Sequence, residues 1–386
     1  MLDGVHVALG VSGSIGAVKT VELAHELRRQ GASVRAVMTS AATGIIHPWS
    51  LEFATDNPVV TEITGSIEHV ELCGREGWAD VLLLAPATAN TVGKVAAAID
   101  DTPVTTTATT ALGADLPVVV APAMHEPMYD HPGVLDALDQ LEAWGVDFVD
   151  PRIEEGKAKI ATEDDVVTAL ARATGDRPLA GTRVVVTSGA TTESIDPIRT
   201  LSNRATGRTG RAVARACYAL GADVVLVHDG PDIPWATVEA VESTEEMLAG
   251  VLEHAPDADA VISAAAISDY TVETAGEKIR SGEESLTLEL EPTPKVLDSV
   301  REAHPDLTLV GFKAESEGDE AAITDRAREL QERAGLAFVV GNATDAAIGG
   351  DDTRAVIVDG DDTELVEGSK AELGERIGRR LARELG

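Results

Sequence analysis

Cysteine is nearly absent from this chain: 386 residues hold two, Cys73 and Cys217. A disulfide framework and a cysteine-rich metal site are thereby excluded. Basic charge is also scarce, with 31 Lys and Arg against 66 Asp and Glu and a formal net charge of −35. A surface of that sign repels phosphate backbones, so nucleic acid is not an expected partner. Lysine is the rarer base, eight against 23 arginines. Long apolar runs are missing too. The longest, residues 81–87 and 117–124, fall far short of a membrane span. Residues 1–4 lead straight into a strand-like run with no leader pattern, and the expectation is a cytoplasmic protein.

What is present bounds the class. Hydrophobic residues make up 44% of the chain, enough for packed cores and too many for disorder. At roughly 100–200 residues per domain, the length suggests two or three domains. The acidic residues are spread along the whole chain, as expected of a protein built for a salt-rich, halophilic cytoplasm. At about 1 M salt the Debye length is roughly 3 Å, and self-repulsion is screened. With lysine this rare, Lys157, Lys159, Lys278, Lys295 and Lys313 stand out.

The first half alternates apolar runs with helical patterns. Residues 5–11 and 33–38 read as strands, with an amphipathic helix over 15–30 between them. Residues 81–85 and 118–121 are short and continuously apolar, as in a parallel sheet covered on both faces. Later helices are expected over 135–144 and 163–173. A polar Gly/Pro stretch, residues 174–179, reads as a linker. The pattern then restarts: a strand over 183–187, a long polar loop, a helix over 207–220, a strand over 223–228. Further strands are expected at 260–264, 308–312, 337–341 and 355–358. Residues 285–290 alternate and suggest part of a hairpin, and 369–385 a closing helix. The fold class is α/β: two Rossmann-like domains, 1–175 and 176–386, each a mostly parallel sheet flanked by helices.

Gly10-Val11-Ser12-Gly13-Ser14-Ile15-Gly16 joins a strand to a helix, where small residues admit a phosphate. A plain tight turn would look the same. The second strand ends Met38-Thr39-Ser40 with no carboxylate for an adenosine ribose, so a mononucleotide such as FMN fits better than NAD. Ala85-Pro86-Ala87-Thr88-Ala89-Asn90 and Ala121-Pro122-Ala123-Met124-His125-Glu126 also follow apolar strands. Together with His69-Val70-Glu71-Leu72, these segments resemble the flavin-dependent Cys decarboxylase family, whose flavin domain is flavodoxin-like. The resemblance implies FMN at Ser12, Gly13, Ser14, Thr39, Thr88, Asn90 and Met124, with His69 catalytic and His125 in contact with ligand. Two departures stand out. His125 occupies the place of the family's Asn, and the flap cysteine of bacterial members is replaced by Glu154-Glu155-Gly156-Lys157-Ala158-Lys159.

In the second half, a polar loop of about 20 residues joins the strand ending at Thr187 to the helix starting at Gly207, a length uncommon unless functional. It holds Asp196-Pro197-Ile198-Arg199 and Ser202-Asn203-Arg204-Ala205-Thr206-Gly207-Arg208. Ser263-Ala264-Ala265-Ala266-Ile267-Ser268-Asp269-Tyr270, Glu277-Lys278-Ile279, Pro294-Lys295-Val296-Leu297 and Gly311-Phe312-Lys313-Ala314-Glu315 follow in order. These motifs resemble phosphopantothenate–cysteine ligase, and both halves together resemble the bifunctional coenzyme A biosynthesis proteins. The resemblance implies that Asn203 handles an acyl-nucleotide, that Lys278 is essential, and that Asp269 lies near the nucleotide and its Mg2+. Ser263, Ala264, Ala265, Asp269, Lys278, Pro294, Lys295, Val296, Leu297 and Phe312 would contact the nucleotide, CTP. Asn203 as a helix cap and Lys295 as an ordinary surface residue are the bland alternatives. Bacterial members carry two nucleotide-binding lysines on the helix after Gly-Phe; here Leu330 and Ala334 align with them, leaving Arg326, Arg328 or Arg333 as substitutes.

The implied chemistry is ligation of cysteine to 4′-phosphopantothenate through an acyl-cytidylate, then FMN-dependent decarboxylation of the product to 4′-phosphopantetheine. The implied partners are small molecules (4′-phosphopantothenate, cysteine, CTP) and further copies of the chain in a homo-oligomer. A two-domain flavoprotein or nucleotide-binding electron carrier, or a chain with only the ligase half active, are the competing readings.

Overall fold

Val7, Val34 and Val81 lie side by side on three parallel strands, and all three are fully buried. They sit in the first of two compact units, Met1–Asp176, the second being Arg177–Gly386. The structure is a computed structural model and describes residues 1–154, 157–280, 285–315, 320–343 and 352–386.

In the first unit, β1 (His6–Val11), β2 (Ser33–Met38), β3 (Val81–Ala87) and β4 (Val118–Pro122) form a parallel sheet. After β5 (Met124–His125) leaves it, β6 (Asp147–Phe148) completes the order β2-β1-β3-β4-β6. Every residue of β3 and β4 is buried, which is why they read as unbroken apolar runs without alternation. The helix expected over 15–30 is divided: a 3-10 turn, Ile15–Lys19, precedes the α-helix Thr20–Arg29. The Thr20 hydroxyl donates to the Ala17 carbonyl at 2.6 Å, a local bond that competes with the regular helical ladder. β7 (Arg152–Glu154) and β8 (Lys157–Lys159) are antiparallel, and β8 also pairs with β5. Residues 155 and 156 of the expected flap lie outside the described residues.

The second unit has β9 (Arg183–Ser188), β10 (Thr192–Ser194), β11 (Thr200–Ser202), β12 (Asp223–His228), β13 (Thr237–Ala240) and β14 (Ala260–Ser263). It continues with β15 (Tyr270–Val272), β16 (Leu290–Pro292), β17 (Thr308–Glu315), β18 (Phe338–Ala343), β19 (Asp352–Asp359) and β20 (Asp362–Ser369). Eight form one sheet in the order β13-β12-β9-β14-β17-β18-β19-β20, with β13 to β18 parallel and β19 and β20 antiparallel. Val184, Val186, Leu226 and Phe338 are fully buried, with helix residues Val213, Leu373 and Ile377 packed on them. Two small antiparallel pairs, β10-β11 and β15-β16, lie outside this sheet. Of the alternating segment 285–290, only Leu290 enters a strand; residues 285–289 are mostly exposed and have no core face to bury.

Candidate functional site

The strand order β2-β1-β3 creates a point where connections leave the sheet in opposite directions, and open α/β sheets bind ligands there. The flavodoxin-like order places a flavin mononucleotide between the ends of its first and third strands. The loops there are stitched together. Ser12 is buried; its Oγ donates to the Pro86 carbonyl at 2.6 Å and accepts from the Thr88 amide at 3.1 Å. That hydroxyl ties the loop after β1 to the loop after β3 and so shapes the floor of the site. Ser14 Oγ accepts from the Gly16 amide and caps the 3-10 turn. Thr39 and Thr88 cap the helices Ser40–Thr43 and Ala89–Ala96 by accepting from Ala42 and Thr91. Such caps contribute about 1 kcal/mol each; Ser14 Oγ also donates to the Ala123 carbonyl at 3.4 Å, and Thr88 Oγ1 lies 3.0 Å from Thr91 Oγ1. Asn90 is exposed in the first turn of its helix. A Cβ on Gly13 would lie 2.4 Å from the Cβ of Ala41, so the loops after β1 and β2 approach as closely as a glycine permits. A narrow cradle of hydroxyls and amides at the switch point fits FMN.

His69 lies on the short helix Glu68–Cys73, which is tied to β2 by an Arg35–Glu71 pair at 3.0 Å. Its Nδ1 is buried and has no hydrogen-bond partner. A buried, unsatisfied ring nitrogen is costly unless it serves chemistry. Cys73 follows on the same helix, and burial pushes its thiol up to about 12, so it is not a reactive substitute for a flap cysteine. Met124 is buried and His125 exposed; in register, Met124 faces Ala158 and His125 faces Lys157 of the hairpin. The flap segment is thus anchored on the loop that carries His125.

In the second unit a cavity of about 830 Å³ opens at the strand ends. Its lining brings together Asn203, Ser263, Ala264, Ala265, Asp269 and Phe312, with Pro294, Lys295, Val296 and Leu297 along the start of the helix Val296–Ala303. Asn203 is no helix cap: its Nδ2 donates to the Ala266 carbonyl at 2.9 Å. The helix Arg208–Ala219 instead starts from Gly207, at φ +70°, a left-handed conformation suited to glycine. Lys295 pairs with Asp269. Buried hydroxyls brace these loops: Thr187 Oγ1 accepts from the Ala265 amide and Thr191 Oγ1 from the Ser268 amide. Glu193, also buried, accepts from the Thr244 amide and the Thr271 hydroxyl.

The basic residues lining the cavity are Arg204, Arg208, Lys295, Lys313, Arg333 and Lys370; the acidic ones are Asp269 and Asp298. Both acids are paired with cavity bases, Asp269 with Lys295 and Asp298 with Arg333 at 2.6 Å. A chain with net charge −35 therefore concentrates positive charge at one place. Lys278 is not brought in. It is exposed, outside regular secondary structure, and absent from the cavity lining. Among the described residues no three His, Cys, Asp or Glu side chains gather as a metal site. No helix of the described residues is long and apolar enough to cross a membrane.

Residues 1–175 match the family model described as "Flavoprotein", and residues 179–385 the one described as "DNA/pantothenate metabolism flavoprotein C-terminal domain". The coenzyme A biosynthesis bifunctional protein CoaBC of Thermococcus kodakarensis is 48% identical over 384 residues, 97% of this chain and 94% of that protein. The chain belongs to this family of bifunctional coenzyme A biosynthesis proteins. The Methanocaldococcus jannaschii member is 38% identical, covering 98% of this chain and 93% of that one. The Bacillus subtilis member is 33% identical, covering 99% and 98%. The crystal structure of a CoaBC C-terminal domain is similar with a TM-score of 0.45 and 27% identity, over 54% of this chain and 98% of that chain.

Of the three arginines offered as stand-ins for the family's lysines, Arg333 lines the cavity beside Leu330. Arg328 donates to the Gly360 carbonyl at 3.0 Å, away from it. Lys370 was not foreseen. It is 5% exposed, at the start of the helix Lys370–Leu385, and reaches the cavity from the far end of the chain. The one available signal was the scarcity of lysine, which singled out Lys313 and passed over Lys370.

Proposed function

We propose that residues 176–386 ligate cysteine to 4′-phosphopantothenate with CTP, and that residues 1–175 decarboxylate the resulting 4′-phosphopantothenoylcysteine to 4′-phosphopantetheine. The observation that carries this reading is the cation-lined cavity in a strongly acidic chain. Its surplus of positive charge is suited to a nucleoside triphosphate.

The substrate acid is an unactivated carboxylate. Its oxygen attacks the α-phosphorus of CTP, pyrophosphate leaves, and an acyl-cytidylate results. Charge grows on the phosphate oxygens as this happens, and fixed cations stabilise it. Lys295, Arg333 and Lys313 line the cavity and are the candidates there, and Lys278 would act on the phosphates from outside that lining. Lys295 and Arg333 are held by carboxylates until phosphate replaces them, and exposed pairs of this kind contribute little and exchange readily. Asp269, released by Lys295, is then available to the Mg2+ that accompanies CTP. Asn203 orients the acyl group. The amine of cysteine next displaces CMP to form the amide.

An α-amido carboxylate cannot lose CO2 without an electron sink. Bound FMN supplies the two-electron oxidation of the thiol, giving a thioaldehyde that serves as that sink. Ser14, Thr39, Thr88 and Asn90 would hold it, with Gly13 setting the approach. His69 would hold or take the thiol proton. After CO2 leaves, the enethiolate carbon needs a proton, and the two electrons taken by the flavin would come back as a hydride to the sulfur-bearing carbon to give the thiol; His125 and the β8 lysines are the neighbouring candidates for the proton. Trp49 and Phe53, one turn apart on the helix Pro48–Thr55 and both over 70% exposed, support a homo-oligomer that covers them. A cytoplasmic location suits the pathway.

The test supplies 4′-phosphopantothenate, cysteine, Mg2+ and CTP to the whole chain in high salt. Release of both pyrophosphate and CO2, with 4′-phosphopantetheine seen by mass, supports the reading. An electron carrier would release neither gas nor pyrophosphate, and a chain with only the ligase working would stop at phosphopantothenoylcysteine.

A further inference from the structure

Asp196 is a buried carboxylate whose two oxygens do different work. Its side chain is fully covered. Oδ1 accepts from the backbone amides of Ile198 and Arg199 at 2.8 and 2.9 Å, which closes the local turn. Oδ2 accepts from the Ile279 amide at 3.1 Å and from Arg199 Nη1 at 2.5 Å. Arg199 Nη1 also donates to the Ile279 carbonyl at 3.1 Å. The residue next to Lys278 is therefore gripped at both its N–H and its C=O, across about 80 residues of sequence. Farther back along the same segment, Thr274 Oγ1 donates to the Ser194 carbonyl at 2.8 Å and the Ala275 amide to the Ile195 carbonyl at 2.9 Å.

A turn alone does not call for this. An asparagine closes the same kind of turn without burying a charge, and a buried charge is tolerated only when paired and hydrogen-bonded. The second oxygen, the one an asparagine lacks, serves only Arg199 and Ile279. Lys278 lies in a segment with no helix or strand of its own and is exposed. Its backbone place is set by this clasp.

We propose that Asp196, acting through Arg199 and Ile279, is the positioning residue that holds the Lys278 segment, itself outside the cavity lining, where the lysine can meet the phosphates of a bound nucleotide. The proposal rests on the ligase reading above, and its test separates the two. Asp196→Asn keeps Oδ1 and so the turn, but puts an NH2 donor against the Ile279 and Arg199 donors. Misplacing a catalytic group by about 1 Å can cost on the order of 100-fold. In the whole chain, with CTP, Mg2+ and 4′-phosphopantothenate, Asp196→Asn should lower kcat for pyrophosphate release at least about tenfold. KM for CTP should stay within about twofold, and decarboxylation of supplied phosphopantothenoylcysteine should be unchanged. In a Lys278→Ala background, Asp196→Asn should add nothing, since both changes remove one effect. Arg199→Met, which keeps a long side chain but donates to neither Asp196 nor the Ile279 carbonyl, should give the same pattern if Asp196→Asn does not fold. A normal kcat, or an equal loss with and without Lys278, overturns the proposal. If the wild-type chain releases no pyrophosphate, the ligase reading falls instead. Amide exchange at Ile279 then decides the clasp: protection lost in Asp196→Asn upholds it, and unchanged protection overturns it.

Discussion

Asn203 donates from Nδ2 to the carbonyl of Ala266 at 2.9 Å, joining loops 63 residues apart in sequence. The same carbonyl accepts from the Thr191 amide at 3.2 Å, so three loops meet there. Asn203→Ala removes the strut and the candidate acyl-nucleotide contact together. Amide formation should fall at least about 100-fold, the lower end of what a lost oriented polar group costs. Decarboxylation of supplied phosphopantothenoylcysteine should continue at the normal rate, because the first unit carries its own motifs. Assaying both reactions on one preparation checks this, and loss of both in a folded protein would contradict the division of labour.

The parallel core was readable in advance because strands such as β3 and β4 must be apolar on both faces, and nothing else short looks like that. The cavity loops were readable because their small and polar residues follow such strands. What stayed hidden depends on pairings between distant residues. Lys278 carries a motif, yet its segment lies along residues 194–199 and outside the cavity lining. The sequence motif at Ser12 gave no sign that its hydroxyl bridges Pro86 and Thr88, over 70 residues away. Lys370 reaches the cavity only because β19 and β20 return the chain to the sheet.

Arg333 lines the cavity and is held by Asp298 at 2.6 Å, with both side chains partly exposed. Arg333→Ala should raise KM for CTP about tenfold, about 1.4 kcal/mol, with little change in kcat. Arg333→Lys should recover part of that, since lysine offers charge without the forked geometry. Arg328→Ala, a residue tied to Gly360, should change neither constant. Steady-state kinetics in one fixed salt concentration distinguish these outcomes.

Gly13 faces Ala41 with no room for a methyl group, at 2.4 Å between Cβ positions. Gly13→Ala must push the loops after β1 and β2 apart. Flavin bound per chain, read from the visible spectrum, should fall sharply in that variant. Pyrophosphate release by the second unit should be unchanged. A fully flavinylated Gly13→Ala protein would remove the switch-point site from consideration.

Burial would raise the pKa of the Asp196 carboxyl, but three backbone amides and the Arg199 charge outweigh it and hold it below the usual 3.8. A depressed carboxyl contributes stability above its unfolded pKa and loses it as pH falls through the folded value. Wild type should therefore be more stable than Asp196→Asn near neutral pH, and the gap should shrink below about pH 4. Thermal melts of both proteins across pH 3 to 7 in high salt measure it. A gap that does not change with pH would mean the charge at Asp196 contributes nothing to folding.

The enethiolate left after decarboxylation must receive a proton on carbon, and the flap cysteine of bacterial relatives is not there to give it. β8 carries Lys157 and Lys159 on either side of buried Ala158, and it is paired with the strand that holds Met124 and His125. The hairpin is thus fixed beside the loop that also holds His125. A lysine drawn toward a desolvated site near another cation has a lowered pKa and can act as a proton donor near neutral pH. The same lysine could hold the substrate phosphate, and the two roles differ in what accumulates. If a lysine donates, Lys157→Ala or Lys159→Ala lets CO2 leave but slows the final reduction, and a product two hydrogens lighter than 4′-phosphopantetheine builds up. If it binds phosphate, KM rises and only the normal product forms. Mass spectrometry of the single and double variants separates these. Normal product at the normal rate from the double variant would pass the role to His125 or to solvent.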